Sequence, residues 1–395
     1  MPRNRVIYQS EGLYASKEAN STGSGDHSQL KRVQSANYSF NIARQDINQY
    51  GELARIDSIV LESPTVSLDF SYYLTDGENE KALGFYVSSP TGTGAAGVTL
   101  FNALSQFPSG QLRDGSGQNF YILTTDEGDD LNSEATIALM SGKSVIGIGN
   151  AYLTDYSVEL AVGSIPTVSV SFEGSNMNAF NIDRLTGAGY TGIGGANVGI
   201  VQESGTTLGN NAFFKLPQSK KTGNAPNTDF ISALRPGDVT ISFGSFTGSG
   251  LISNINDLHV QSASMSLPLG RTPIERLNSK FAFVRAVDFP VVSTLTVNGV
   301  QSEAGPSGSL LQFVENNPKQ DITITIKKPG ALTTGNSDIA AQYFFKQAQL
   351  DSASVSSSIG SNKTVDFTFT TQIGGANDTA NGIQMRAVHS GNVFG

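Results

Sequence analysis

The strongest constraint on this chain is that its sequence is written twice. Val33–Ile47 lies over Val260–Ile274 at an offset of 227, with seven of fifteen positions identical. Among these are Val33/Val260, Ser35/Ser262, Ala36/Ala263 and Arg44/Arg271, while Phe40/Leu267 and Ile42/Leu269 keep their apolar character. Leu153–Phe172 lies over Leu350–Phe369 at an offset of 197, with eight identities in twenty. Between these anchors, Leu100–Leu104 matches Leu310–Val314, Pro108 matches Pro318, and Asn119–Thr124 matches Asp321–Ile326. Arg5–Tyr8 matches Asp238–Ile241 more loosely. The offsets fall in one direction, as they do when one copy carries the longer loops. A chain repeated in this way is expected to use one supersecondary plan twice. The division expected is a first copy over 1–175, an insertion or linker over 176–236, and a second copy over 237–395.

Within each copy the hydrophobic period is two. Val66, Leu68, Phe70 and Tyr72 alternate with polar residues, as do Val168, Val170 and Phe172 in the first copy. Val239–Phe243, Ile322/Ile324/Ile326 and Val365/Phe367/Phe369 repeat the pattern in the second. Alternation with one apolar face marks strands of antiparallel sheets stacked as a sandwich or closed as a barrel. One short helix is expected in each copy. Leu100, Phe101, Leu104 and Phe107 share one helical face before Pro108, and Ser309–Gln312 opens the counterpart before Pro318. The fold class is therefore mainly β, two tandem sandwich or barrel units with one short helix each, joined by long loops. Residues 15–30 read as a flexible arm or long hairpin, and 74–97 and about 175–236 as long irregular segments. Compact domains keep loops of that length when the loops work. Contacts with neighbouring molecules are their expected use, so shortening 74–97 is expected to spare the fold and weaken assembly.

Composition removes several classes. Charged residues are 15% of the chain while Gly numbers 43, too few ions for the surface of a helical bundle. With no cysteine there is no disulfide framework, thiolate nucleophile or Cys-ligated zinc. After the basic start Met1–Arg5 only Val6–Tyr8 are apolar, short of a secretory leader, and no run is long enough to span a membrane. A formal net charge of −9 argues against gripping nucleic-acid phosphates, though not against a surface that DNA slides past.

Sites for chemistry are sparse. His27, His259 and His389 have no partner at metal or triad spacing. Gly187–Gly192 fits GxGxxG, but the Gly-rich stretch after it cannot open a helix, so it reads as a loop. Asp126–Asp130 with Glu134 could hold a hard cation, yet it lacks alternating ligand spacing and reads as a solvated turn. Asp76, Glu78 and Glu80 could supply paired carboxylates for glycoside hydrolysis. They are expected in a loop, and a chain without Trp suits sugar binding poorly. Arg44 and Arg271 occupy matching strand ends, for an ion pair or a ring contact. No catalytic, cofactor-binding or metal-ligating residue is assigned, and the chain is not expected to be an enzyme.

Thr154–Gly174 resembles a stretch common in tail tube proteins of tailed bacteriophages, in which a polar strand turns at a Gly and returns alternating. Arg5–Ser10 and Val33–Tyr73 are similar to major tail proteins of long-tailed phages. The resemblance implies a β-sandwich with a flanking helix, assembled into stacked rings around a channel. Single-copy members form six-subunit rings, so a two-copy chain implies a trimer with pseudo-sixfold symmetry. It implies no cofactor and no catalytic residue. Its implied partners are further copies of itself, tape measure, terminator and baseplate proteins, and DNA that passes through the lumen without specific binding. Its implied place is the tail of a virion assembled in the host cytoplasm, with no membrane. An acidic lumen would repel DNA phosphate, so the acidic excess is expected on the channel wall. The alternatives are another tail ring component, terminator or baseplate, and a carbohydrate-binding or carbohydrate-active β-sandwich.

Overall fold

A computed structural model describes residues 11–17, 27–62, 64–88, 106–112, 117–124, 144–181, 233–243, 259–277, 282, 284–300, 319–331, 338–359 and 362–388. Its first half comprises β1 (Glu11–Lys17), β2 (His27–Gln29), β3 (Val33–Asn41), β4 (Arg44–Ile47), β5 (Asp57–Val60) and β6 (Thr65–Tyr73). A single helical turn and a half, α1 (Glu78–Ala82), precedes β7 (Gln118–Thr124), β8 (Ser144–Ala161), β9 (Thr167–Gly174) and β10 (Asn176–Asn181). The second half comprises β11 (Val239–Phe243), β12 (His259–Pro268), β13 (Arg271–Ile274), β14 (Val284–Val287) and β15 (Val291–Val300). It ends with β16 (Lys319–Lys327), β17 (Ile339–Ser356), β18 (Thr364–Ile373) and β19 (Gly382–Ala387).

All named pairings are antiparallel, and one order occurs in both halves. In the first, β3 pairs with β6, β6 with β9, and β9 with β8. In the second, β12 pairs with β15, β15 with β18, and β18 with β17. The segments matched in sequence, 33–47 with 260–274 and 153–172 with 350–369, fall in like elements with like partners. Hairpins β4–β5 and β13–β14 stand apart as two-stranded sheets at corresponding points. Alternation places the core: Val66, Leu68, Phe70 and Tyr72 are buried while Thr65 and Asp69 are exposed. Phe70, Phe120 and Phe172 pack ring to ring beneath the first half, and Phe243, Phe367 and Phe369 beneath the second.

The long strands β8 and β17 each turn a corner and change partners there. The first part of β8 lies between β7 and β10, and its second part lies against β9. β17 does the same with β16 and β19, then β18. Each corner holds a left-handed residue, Asn150 (φ 49°) and Gln347 (φ 52°). Its freed N–H is taken by a side chain of the adjoining strand, Asn119 Oδ1 at 3.0 Å and Asp321 Oδ1 at 3.0 Å. Bulges in β7 and β16 sit beside both corners and supply the bend. Gln347 is exposed, so substitution there reports the backbone alone. Gln347→Gly is expected to raise stability by up to about 1 kcal/mol, and Gln347→Val to lower it by about 1–2 kcal/mol, in urea unfolding. Equal midpoints for the two variants would count against a strained corner.

Several sequence expectations change. Of the segment 74–97, residues 89–97 lie outside the described residues, and 74–88 are not an irregular excursion: Leu74, Leu83, Phe85 and Val87 are all at 0–1% exposure. They are held because α1 starts at Gly77, whose φ of 84° suits glycine, and Asn79 is pinned to Lys31 by two hydrogen bonds of 2.8 Å. The helix expected at 100–107 falls mainly outside the described residues, as does its counterpart at 309–314. Its end, Gln106–Phe107, is not helical, and among the described residues the α-helix is Glu78–Ala82. The hairpin reading of 15–30 suits β1 and β2, which pair with each other, while 18–26 lie outside the described residues. The stretch 175–236 opens with β10, a strand on β8, and 182–232 lie outside. The place of β11 is taken in the first half by β1 and not by Arg5–Tyr8, since β1 pairs with β7 as β11 pairs with β16. Arg5–Tyr8 itself lies outside the described residues.

Candidate functional site

The two halves meet along a strand ladder. Antiparallel pairing of β8 with β12 sets Ser262 opposite Ala161, Met265 opposite Val158, Ser266 opposite Ser157 and Leu267 opposite Tyr156. Backbone bonds Val162 N–H to Gln261 O (2.9 Å) and Leu269 N–H to Thr154 O (2.8 Å) extend it at both ends. The result is a continuous sheet in the order β3, β6, β9, β8, β12, β15, β18, β17.

Both ends of that sheet are open. Among the described residues β3 pairs only with β6, and the second part of β17 pairs only with β18. In the pairing order of the two halves, β3 stands where β12 stands, and β17 where β8 stands. The comparison of burial is direct. Met265 and Leu267 are 2% and 0% exposed at the seam, whereas the matching Tyr38 and Phe40 are 37% and 60% exposed. Val158 is 3% exposed and the matching Val355 is 56%. An edge with unpaired backbone and an apolar stripe is a template for another strand.

One face of this sheet is polar, and its charge has one sign. The eight strands carry Asp69, Asp155, Glu159, Glu173, Asp351 and Asp366 and no arginine, and their one lysine, Lys346, lies before the β17 corner and donates to the Thr379 carbonyl. Serine hydroxyls pair across it, Ser35 with Ser71 and Ser39 with Ser67, each at 2.7 Å. At its rim the buried Arg285 reaches in from β14 to Glu173 at 2.5 Å. Burial raises the Asp155 carboxyl above its ordinary value.

A second cluster lies inside. Tyr72 donates its hydroxyl to Glu80 Oε1 (2.9 Å), Tyr156 donates to the same oxygen (3.3 Å), and the Tyr156 and Tyr343 hydroxyls are 2.8 Å apart. Phe85 stacks on Phe107 at 4.3 Å, and both rings meet Tyr156 edge-on. Burial pushes the Glu80 carboxyl up to about 7. Burial first, and the Glu80 charge with it, raises all three phenols. A displaced carboxyl in a cleft can mark an active site. Here all four side chains are sealed from solvent, with Tyr72, Glu80 and Tyr156 from the first half and Tyr343 from the second. The arrangement ties the halves together.

The remaining sequence candidates do not converge. Asp76 and Glu80 are buried rather than in an open loop, and Glu78 forms an ion pair with Lys31. His27 lies on β2 and His259 opens β12. His389, Gly187–Gly192 and Asp126–Asp130 with Glu134 lie outside the described residues. Arg44 is exposed on β4, whereas Arg271 stacks 4.9 Å over the Tyr152 ring and donates to the Arg285 carbonyl. Among the described residues no group of three potential metal ligands forms, and no helix is long and apolar enough to cross a membrane. Sequence reading missed the exposed apolar tips of the two hairpins, Tyr50 and Leu53 on β4–β5 and Leu277 after β13.

No protein-family model matches this sequence, and no curated protein matches it. Among solved structures there are partial likenesses. One is a chain of the tail of an empty GTA particle, 13% identical with a TM-score of 0.23, over 35% of this chain and 97% of that one. Another belongs to a PVC sheath-tube complex of an extracellular contractile injection system, 14% identical with a TM-score of 0.24, over 38% and 88%. A third is from the tube-terminating cap of the anti-feeding prophage, 11% identical with a TM-score of 0.24, over 41% and 99%.

Proposed function

We propose that this chain is a structural subunit that closes into rings of three copies and stacks as the tube of a phage-type tail. The observation that carries the reading is the pair of open edges at opposite ends of one sheet. They differ from each other, so self-association through them is head to tail, and such contacts make rings where the rotation closes. Three chains supply six repeats to one ring, the count that the tail-tube resemblance implies. The polar face, with its carboxylates and with Lys346 placed before the β17 corner on the Thr379 carbonyl, suits the wall of a channel for a polyanion, because like charge keeps phosphate from binding. The exposed tips Tyr50, Leu53 and Leu277 suit contacts between stacked rings, where apolar surface would be covered. The role is structural, with tape measure, terminator and baseplate proteins as further partners and the virion tail as its place.

Negative-stain microscopy of the purified chain, with its mass in solution, tests this. Rings of three chains that stack into tubes are expected. Rings that never stack would move the chain to a terminator or baseplate position, and monomers at all concentrations would overturn the reading.

A further inference from the structure

We infer that the open edges β3 and β17 join between copies in the register that β12 and β8 use within one copy. The inference deepens the ring proposed above and rests on it. Carrying the internal seam over by the two sequence offsets sets Ser35 opposite Ser358 of the next copy. Asn37 then faces Ser356, Tyr38 faces Val355, Ser39 faces Ser354, and Phe40 faces Ala353. The ladder ends carry over too. Ile359 N–H meets the Gln34 carbonyl, as Val162 meets Gln261, and Ile42 N–H meets the Asp351 carbonyl, as Leu269 meets Thr154.

The side chains support this register. Ser39 and Ser354 reproduce the internal pair Ser266–Ser157 without change. Tyr38 against Val355 replaces Met265 against Val158, apolar in both. Phe40 against Ala353 replaces Leu267 against Tyr156, so the aromatic ring has moved across the ladder while a large and a smaller side chain still meet. A slip of one residue would set Tyr38 and Phe40 against serines, since strand faces alternate with a period of two. The register also covers the stripe left exposed in a single copy, Tyr38, Phe40 and Val355. The occupant of each edge is therefore the opposite edge of a second copy of this chain.

The absence of native cysteine makes the register directly readable. Directly opposed residues of an antiparallel pair have Cα atoms about 4.5–5.5 Å apart, within disulfide range, whereas partners two residues off lie about 7–8 Å apart. Under mild oxidation, Ser39→Cys/Ser354→Cys is expected to give covalent species up to three chains, with Ser157→Cys/Ser266→Cys as the within-chain control. Ser39→Cys/Ser356→Cys is expected to stay monomeric in denaturing gels. Preferential cross-linking of the off-register pair overturns the inference. So does failure of both pairs in a protein that still forms rings, an outcome that leaves the ring reading standing. Cross-linked three-chain rings that never stack support the register and overturn the tube. As a second readout, Val355→Lys should keep the far-UV circular dichroism of the parent, because its side chain is exposed in a single copy, yet lose ring formation. Intact rings in that variant would also overturn the inference.

Discussion

Replacing residues 76–87 by a short turn is expected to abolish cooperative folding. The segment loses Leu83, Phe85 and Val87, all at 0–1% exposure, and with them about 6 kcal/mol of apolar burial. That is comparable with the whole stability of an ordinary domain, about 5–15 kcal/mol. The loss spreads further. Phe107 loses the ring stacked on it at 4.3 Å, and Tyr156 loses the carboxyl it donates to. The Tyr86 amide donates to the Phe107 carbonyl at 2.8 Å, and the Phe107 amide to the Ile383 carbonyl of β19 at 2.8 Å. The segment thus bridges the first half to the last strand of the second. Circular dichroism and a thermal melt check the outcome. A variant that melts like the parent would mean that this segment covers the core without supporting it.

The same segment marks where sequence reasoning reaches its limit. Strand faces such as Val66 to Tyr72 and Val365 to Phe369 were readable because period-two alternation needs no knowledge of the partner strand. The matched anchors set β3 against β12 and β8 against β17 through shared residues such as Val33/Val260 and Val158/Val355, which likewise needs no knowledge of the partner strand. Leu83, Phe85 and Val87 also alternate, a signal that was there to be found. The carboxylates Asp76, Glu78 and Glu80 before it and the Ser, Pro and Gly of 88–94 after it read as a loop, since such residues are the usual marks of a turn. Glu80 was unreadable in kind. A carboxyl buried under three phenols depends on Tyr72, Tyr156 and Tyr343, which are up to 263 positions away in sequence, from Glu80 to Tyr343. The open edges were hidden differently. Tyr38, Phe40 and Val355 look like core residues in sequence, and only the pairing order reveals that none of the described residues covers them as a further strand. Of the two corner residues, Gln347 carries no sequence signal, because glutamine does not favour a left-handed backbone, whereas Asn150 is of a type that does.

Stability of the parent is expected to fall by about 3 kcal/mol between pH 4.5 and pH 7 on account of Glu80, and Glu80→Gln is expected to remove that fall. Burial is the main cause, since it penalises the carboxylate, and the nearby Asp76 charge acts in the same direction. Hydrogen bonds from Tyr72, Tyr156 and the backbone act the other way and are outweighed. The folded chain therefore holds the Glu80 proton up to about pH 7, while the unfolded chain releases it near the ordinary 4.5. Within that window the folded state binds more protons than the unfolded state, so stability declines as pH rises and levels off above the folded value. Glutamine keeps an acceptor for the Tyr72 and Tyr156 hydroxyls and has no proton to lose. The variant should match the parent near pH 4.5 and exceed it at pH 8. Other carboxylates titrate over the same range, so the measured quantity is the difference between the two proteins in paired urea unfolding curves. Parallel pH dependence in both would mean that Glu80 is not neutral in the folded chain. Its contacts with Tyr72 and Tyr156 would then have to be the charge-assisted bonds of a carboxylate, with Tyr343 of the second half reached through the Tyr156 hydroxyl.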